Sequence, residues 1–312
     1  MGYSFIEKNE ENEPKRRKGQ KVSFTAVEPR WTLDEIIFSQ KLKDQLYDIV
    51  SFCKKKDEII EEWELFRFMK GKGCIGINLW GIPGTGKSIA AEAIASALGM
   101  KLIQASYSSL LDSLQGNTEK NITALFETAV EENSIILFNE ADGLLSARKT
   151  NGANSDSANL IKSHMLNILD QSTAIVVFTT NFFKSYDRAF VRRILWNIEI
   201  PAPDYEELVG IWKLHLGKNV PKDFTYEELA HLTLAIGKSK SMSITGGDIK
   251  KLTLMFCTQL TAGRYASITT DVATTVISKY LDDLQENTPQ PPKVEEVKES
   301  DLPNKVINEL NN

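Results

Sequence analysis

The chain has 312 residues, of which 42% are hydrophobic and 25% are charged, a composition typical of a globular protein with room for one large domain or two smaller ones. The net charge of −5 excludes a sequence-wide basic field for nucleic acid. The apolar runs are too short for a transmembrane helix, and the polar N-terminus lacks the apolar core of a secretory signal. Three scattered cysteines, Cys53, Cys74 and Cys257, have no metal or disulfide spacing, and together these features predict a cytoplasmic protein without a membrane partner.

The two ends of the chain differ in composition from the middle. Residues 1–22 are charged and lack periodic apolar positions, which predicts a disordered arm. Its KRRK run at 15–18 is a possible contact for a phosphate backbone, and a solvated charge run is the alternative interpretation. Residues 286–312 are rich in Pro, Glu and Lys and predict a disordered tail.

Between these ends, short apolar segments alternate with helical patterns as far as residue 200. The apolar segments are 75–80, 101–105, 135–138, 174–180 and 196–200. The helical patterns are 86–98, 118–131, 158–169 and 186–193. Strands that are apolar throughout and alternate with helices indicate a doubly wound parallel sheet covered on both faces, so we predict an α/β domain over 23–200.

After residue 200 the apolar strand pattern stops and only helical patterns follow. They cover 205–216, 226–234, 246–261 and 271–284. This change predicts a second, small, all-helical domain over 201–285.

The most specific motif is GIPGTGKS at 81–88, which matches G-x-x-x-x-G-K-[ST] in full and lies between an apolar strand and a helix. Its glycines let backbone N–H groups turn toward phosphate oxygens, Lys87 supplies a positive charge, and the Ser88 hydroxyl is a ligand for Mg²⁺. We therefore predict a nucleoside triphosphate site with Mg²⁺. The nucleotide-binding residues predicted from the motif are Gly81, Pro83, Gly84, Thr85, Gly86, Lys87, Ser88 and Ile89.

A second motif, LFNEAD at 137–142, ends another predicted strand. Glu140 is placed there to orient and activate the attacking water. Asn139, the residue before it, is predicted to help Ser88 hold Mg²⁺.

Residues from about 31 to 285 resemble the AAA family of P-loop ATPases, of the compact single-ring type that remodels proteins. The resemblance rests on the two motifs above and on five further stretches. These are WTLDEIIFSQKLKDQLYDIV at 31–50, SLQGNTEKNITALFETA at 113–129, TTNFFKSYDRAFVRRI at 179–194, IPAPDYEEL at 200–208 and TGGDIKKL at 245–252.

The resemblance implies roles for further residues. Asn181 matches the sensor that contacts the γ-phosphate and the attacking water, and Gly246 and Gly247 match the lid segment that closes on the nucleotide. Arg192 and Arg193 match the stretch that carries an arginine finger into the neighbouring subunit, and the alignment of DRAFVRR favours Arg192. It also implies a doubly wound sheet with a helical lid, ATP and Mg²⁺ as cofactors, a ring that is usually a hexamer, and a protein substrate or adaptor as partner.

Three positions depart from the family pattern. Asn139 stands where an aspartate usually reaches Mg²⁺ through a water molecule. Because asparagine lacks the negative charge of that aspartate, we predict slower hydrolysis. Leu114 takes the place of an aromatic residue that grips a threaded peptide, which predicts a weaker grip unless Leu114 is a core contact. Leu195 occupies the position of a second arginine in the family's R-x-G-R arrangement.

Our leading hypothesis is an ATP-dependent protein-remodelling ATPase in which Lys87, Glu140, Asn181, Arg192 and Arg193 are catalytic. The first alternative is a nucleotide-binding scaffold with negligible hydrolysis, which Asn139 supports. The second is a nucleic-acid motor or loader, which the acidic net charge disfavours.

Overall fold

The computed structural model describes residues 24–64, 73–106, 118–146, 155–181 and 186–287. The predicted disordered arm and tail, and Leu114, lie outside these described residues. Backbone contacts divide the chain into two compact units. The first contains the residues up to Ile211 together with Thr245–Gly247, and the second contains Trp212–Ile244 and the residues from Asp248 onward.

The first unit is built on a five-stranded parallel sheet with the strand order β2-β3-β4-β1-β5. The strands are β1 (Ile75–Trp80), β2 (Lys101–Ser106), β3 (Ser134–Asn139), β4 (Ile175–Thr180) and β5 (Ile194–Glu199). The doubly wound parallel sheet predicted from the sequence is confirmed. Its central strands are buried along almost their whole length, as expected for a sheet covered by helices on both faces.

Helices cover both faces of this sheet. The helices of this unit are α1 (Gln40–Glu62), α2 (Lys87–Leu98), α3 (Thr118–Glu131), α4 (Asp142–Leu145), α5 (Ser155–Gln171), α6 (Arg188–Val191) and the beginning of α7 (Tyr205–His215). One apolar core lies between the sheet and helices α1 and α2. A second core lies between the opposite face and helices α3 and α5.

Three elements differ from the sequence prediction, and the first is the short helix α4 (Asp142–Leu145), which was not predicted. Helix α1 was not among the predicted helices, although its buried residues Leu42, Leu46, Ile49 and Val50 have the spacing of one helix face. The helix predicted over 186–193 is wrong in extent, because α6 covers only Arg188–Val191 and β5 begins at Ile194. Asp187 caps this short helix through a hydrogen bond from the Ala189 N–H to its carboxylate, which fixes where the helix starts.

The second unit consists of helices among its described residues, which confirms the predicted helical region. They are the end of α7, α8 (Tyr226–Ser239), α9 (Gly246–Thr261, from Asp248 on) and α10 (Thr270–Asn287). Its core surrounds Trp212, which is fully buried, stacks on Phe256, and donates its indole N–H to the Thr233 hydroxyl at 3.1 Å. Throughout the described ranges, no helix is long and apolar enough to cross a membrane.

Candidate nucleotide-binding and catalytic site

The phosphate-binding motif forms a turn between the end of β1 and the first residue of α2. Gly84 and Gly86 have φ angles of 84° and 100°, values that residues with a side chain rarely adopt. A Cβ added at Gly84 would lie 2.3 Å from the Thr245 hydroxyl oxygen, so this position has no room for a side chain. A glycine-rich turn that leads into the N-terminus of a helix is a typical phosphate cradle, because its backbone N–H groups can donate to an anion.

The Lys87 ammonium group is buried among oxygen atoms of this turn. It donates to the Gly81 carbonyl at 2.8 Å, to the Ile82 carbonyl at 3.0 Å and to Asn181 Oδ1 at 3.1 Å. Burial lowers the pKa of Lys87, while the carboxylates of Asp142 and Glu140 oppose that shift. Lys87 thus carries a positive charge at the phosphate cradle and is held by the sensor residue predicted from the sequence.

The two predicted Mg²⁺ ligands are neighbours. Ser88 Oγ donates to Asn139 Oδ1 at 2.9 Å, and Thr179 Oγ1 donates to the same oxygen at 3.3 Å. A hydroxyl and an amide oxygen are the kind of hard ligand that Mg²⁺ accepts, and Mg²⁺ is usually held by few protein groups together with phosphates and water. Ser88 and Asn139 therefore fit the ion that the family implies, although Asn139 contributes no charge.

Glu140 lies directly after β3 in a left-handed backbone conformation, with φ of 53°. Such a conformation costs free energy for a residue other than glycine and is often found at functional sites. Thr179 supports it, because its hydroxyl accepts from the Glu140 N–H at 3.3 Å and its carbonyl accepts from the Ala141 N–H at 2.9 Å. The Glu140 side chain is exposed and makes no hydrogen bond within the described part of the chain.

Asp142 belongs to this site but was not among the predicted site residues. Its carboxylate accepts from the Asn181 N–H at 3.3 Å and acts electrostatically on Lys87. The LFNEAD motif contained Asp142, but only the fold shows that it lies beside the end of β4. Asp142 thus orients Asn181, the predicted sensor residue, and adds negative charge beside the cradle.

The two arginines of the predicted finger have different surroundings. Arg193 makes a two-pronged ion pair with Asp170, with nitrogen–oxygen distances of 2.7 and 2.6 Å, and donates to the Ala189 carbonyl at 2.9 Å. This pairing raises the pKa of Arg193. The Arg192 side chain is exposed and makes no ion pair with any described residue. Arg192 is therefore the arginine available to another molecule.

The remaining predicted residues surround the phosphate turn. The Gly247 N–H donates to the Gly84 carbonyl at 3.0 Å, and a Cβ on Gly246 would lie 3.6 Å from the same oxygen. Thr85 is buried and donates to the Ile82 carbonyl. Pro83 is exposed, and Ile89 packs against the core beneath α2.

A segment before α1 also reaches the site and was not among the predicted site residues. A Cβ on Gly86 would lie 3.3 Å from the Phe38 ring, so the ring contacts the phosphate turn. The next residue, Ser39, donates its N–H to the Glu207 carboxylate, which also accepts from the Asp204 N–H at 2.8 Å. Glu207 therefore joins this segment to the beginning of α7.

The parallel sheet, the phosphate turn and the polar residues at the ends of β3 and β4 define the class of P-loop ATPases. The family described as "ATPase family associated with various cellular activities (AAA)" matches residues 77–202. The chain belongs to this AAA family. The prediction of the family is confirmed.

Curated relatives agree with this assignment. The vacuolar protein sorting-associated protein 4 of Dictyostelium discoideum is 30% identical over 243 residues, which are 74% of this chain and 53% of that protein. The cell division cycle protein 48 homolog of Archaeoglobus fulgidus is 32% identical over 200 residues, 60% of this chain and 27% of that protein. The 26S proteasome regulatory subunit 8 homolog of Encephalitozoon cuniculi is 30% identical over 261 residues, 78% of this chain and 62% of that protein. The chain thus spans only part of the length of each relative.

Proposed function

We propose that this chain hydrolyses ATP with Mg²⁺ as one subunit of a ring, most simply a homohexamer, and uses the reaction to remodel a protein substrate or an adaptor-bound protein. The observation that carries the proposal is the convergence of Lys87, Ser88, Asn139, Glu140 and Asn181 at one edge of the sheet. The exposed Arg192 supports the ring, because it has no ion-pair partner among the described residues and such an arginine can act in the next subunit.

Each residue has a task that follows from its position. The backbone N–H groups of residues 84–88 and the Lys87 ammonium hold the β- and γ-phosphates. Ser88 and Asn139 would hold Mg²⁺, which supplies positive charge to the phosphate oxygens when bound. Glu140 orients the attacking water and accepts its proton, while Asn181 fixes the geometry of the water and the γ-phosphate.

Arg192 of a neighbouring subunit would stabilise the negative charge that develops on the transferred phosphoryl group. An arginine acting in this way raises the rate by about 10³–10⁵. Hydrolysis would then require assembly. The surroundings of Arg193 support this division of roles, since its guanidinium group is already bound to Asp170.

Asn139 is proposed to slow this reaction. Its amide oxygen keeps the contact with Ser88 but lacks the charge of a carboxylate, and loss of a supporting partner of this kind typically costs about 10–100-fold in metal affinity or activity. The same residue favours the second candidate function, a scaffold that binds ATP and hydrolyses it negligibly.

The proposal of a protein substrate rests on the relatives, whose names assign them to vacuolar protein sorting and to the regulatory part of the proteasome. Nothing in the described residues identifies the substrate. A cytoplasmic location stays a prediction.

Steady-state ATP turnover measured over a range of protein concentrations tests the proposal. We expect turnover per subunit to rise with concentration, to require Mg²⁺ and to disappear in Glu140→Gln while ATP binding remains. Tight ATP binding without turnover in the wild-type protein would instead establish the scaffold. Turnover that does not depend on concentration, with Arg192→Ala fully active, would exclude the ring mechanism.

A further inference from the structure

Asn78 is an unusual residue for its place in the fold. It lies in β1, which has a neighbouring strand on each side, and it is fully buried. A buried amide costs free energy unless its donors and acceptors are paired. The neighbouring residues of β1, Ile77 and Leu79, are apolar core residues on the opposite face of the sheet.

Asn78 finds its partners on the strands at either side. Its amide nitrogen donates to Asn197 Oδ1 on β5 at 3.2 Å, and its amide oxygen accepts from the Thr180 hydroxyl at the end of β4 at 3.3 Å. The half-buried Tyr186 hydroxyl forms hydrogen bonds with Thr180 and Asn78. Burial raises the pKa of Tyr186 to about 12, so this hydroxyl keeps its proton at neutral pH. We call these four side chains the Asn78 network.

Two residues of the network lie on either side of residues 187–193, which we call the arginine segment. Tyr186 directly precedes the segment, and Asn197 lies four residues after its last residue, so both flanks are bound to Asn78. Inside the segment, Phe190 is fully buried in the core. The segment is thereby fixed on both sides of Arg192.

The backbone at the end of the arginine segment also rests directly on β1. A Cβ added at Gly76 would lie 2.8 Å from the Arg193 carbonyl oxygen, so only glycine allows this close approach. Gly76 and Asn78 are two residues apart in β1 and therefore lie on the same face. Gly76 and Asn78 together hold the arginine segment against β1, the strand that leads into the phosphate turn.

The network also reaches the nucleotide site. Thr180 directly precedes Asn181, whose amide oxygen accepts from Lys87 at 3.1 Å. Asp142 accepts from the Asn181 N–H and acts electrostatically on Tyr186. One set of contacts thus joins the residue predicted to sense the γ-phosphate to the segment that carries Arg192.

We propose that Asn78, Thr180 and Tyr186 are positioning residues that set the placement of Arg192 relative to Asn181, so that they control hydrolysis in the neighbouring subunit. This inference rests on the proposed function, because it requires Arg192 to act in trans. The amide and hydroxyl groups of the network would act on catalysis through the arginine segment.

The test uses Tyr186→Phe, which removes one hydroxyl, and Asn78→Leu, which removes the amide. A misplaced catalytic group can cost on the order of 10²-fold in rate, so we expect turnover to fall by roughly 10–100-fold in either variant while the dissociation constant for ATP stays unchanged. Thr233→Val is the matched control, because it removes a buried hydroxyl that accepts from Trp212 in the helical unit. Its turnover at 25 °C should remain that of the wild type.

Mixed assemblies separate positioning from a general loss of structure. Tyr186→Phe subunits keep their own Glu140, and Glu140→Gln subunits keep a well-placed Arg192. Mixing these two inactive or weakly active proteins should therefore restore turnover, as it should for Arg192→Ala mixed with Glu140→Gln. A defect inside the nucleotide site of Tyr186→Phe would not be restored by a neighbour.

The outcomes distinguish the inference from the proposed function. If Arg192→Ala is restored by mixing but Tyr186→Phe is not, or if Tyr186→Phe has wild-type turnover alone, the Asn78 network does not position Arg192 and the proposed function stands. If Arg192→Ala is not restored, Arg192 does not act in trans and the proposed mechanism fails first. If Asn78→Leu no longer binds ATP, Tyr186→Phe alone decides the question.

Discussion

The Ser88 hydroxyl donates a hydrogen bond of 2.9 Å to the amide oxygen of Asn139, which joins the first turn of α2 to the end of β3. The same amide oxygen accepts from Thr179 on β4, so one neutral side chain links three elements of the site. A carboxylate could accept both hydrogen bonds with the same geometry and would add a negative charge beside Mg²⁺.

The first prediction is that Asn139→Asp raises Mg²⁺-dependent ATP turnover, by about 10-fold or more, because the added charge strengthens the hold on the ion. Turnover measured as a function of Mg²⁺ concentration checks this, and the half-saturating Mg²⁺ concentration should fall. Asn139→Leu is the matched control, because it removes the oxygen and should lower turnover. A slower Asn139→Asp enzyme would show that the asparagine is adapted to this site rather than limiting it.

The second prediction concerns the paired arginines. Arg192→Ala should lose turnover by about 10³-fold or more with ATP binding retained, because its guanidinium group has no structural partner among the described residues. Arg193→Ala should keep more of the turnover and lose about 0.5–1 kcal/mol of unfolding free energy, the usual value for a partly exposed ion pair.

A double-mutant cycle of Arg193→Ala with Asp170→Ala checks the structural role, because the two losses of stability should not add. Full turnover in Arg192→Ala together with inactive Arg193→Ala would reverse the assignment of the two residues.

The third prediction concerns the ion pair between Arg30 and Glu92, which lies on helix α2. The Glu92 carboxylate is 4% exposed and accepts from the Arg30 backbone N–H at 3.1 Å and from its guanidinium group at 3.2 and 2.8 Å. Burial raises the pKa of Glu92, but the hydrogen bonds and charge of Arg30 outweigh burial and lower it below the usual 4.5. The Glu92 carboxylate therefore binds a proton less readily in the folded state than in the unfolded state.

It follows that this carboxylate stabilises the fold at pH values above 4.5 and that the contribution is lost as the pH falls through the lowered pKa. Urea unfolding gives the free energy of unfolding of the wild type and of Glu92→Gln. The wild type should be more stable by an amount that is constant from neutral pH to about pH 5 and shrinks in more acidic solution. Glu227→Gln, which removes a half-exposed partner of Lys213, is the control and should change stability less. A difference in unfolding free energy between wild type and Glu92→Gln that grows on acidification would contradict a stabilising ion pair between Arg30 and Glu92.

The fourth prediction is that Cys53 and Cys74 react slowly with alkylating reagents. Burial raises the pKa of each thiol to about 11, and the thiolate is the reactive form. At pH 8 the fraction of thiolate should be roughly 10²-fold smaller than for an ordinary thiol. Peptide mapping by mass spectrometry after iodoacetamide treatment measures this, with the urea-unfolded chain as control. Rapid labelling of either residue in the folded protein at pH 8 would show that its thiol is not protected.

The fifth prediction is that Gly84→Ala abolishes ATP binding. The substitution is strained at φ of 84° and would place a methyl group 2.3 Å from the Thr245 hydroxyl oxygen, so the phosphate turn must move. Gly73→Ala is the matched control, because no atom lies within 4 Å of the added methyl group. Isothermal titration with ATP distinguishes the two variants, and retained affinity in Gly84→Ala would exclude this turn as the phosphate site.

The phosphate turn and the five strands could be predicted from the sequence because their signals are local. The motif at 81–88 is continuous, and the strands are short apolar runs separated by helical patterns. The first helix has an equally local signal, because Leu42, Leu46 and Ile49 are spaced as one face of a helix. The extent of α6 is a different case, because the Asp187 cap decides where that helix starts and the pairing of β5 with β1 decides where it ends.

The sequence by itself determined the family, and it predicted the nucleotide and the site residues Lys87, Ser88, Glu140 and Asn181, because each lies within a short motif at fixed spacing. Only the tertiary structure decided that Arg193 is the arginine bound in an ion pair, since Asp170 lies 23 residues before it and nothing local joins them. The same holds for Asn78, whose partner Asn197 lies 119 residues further along the chain. Buried polar side chains find their partners through the packing of strands and helices, and the free energy of those contacts depends on neighbours that the linear sequence keeps far apart.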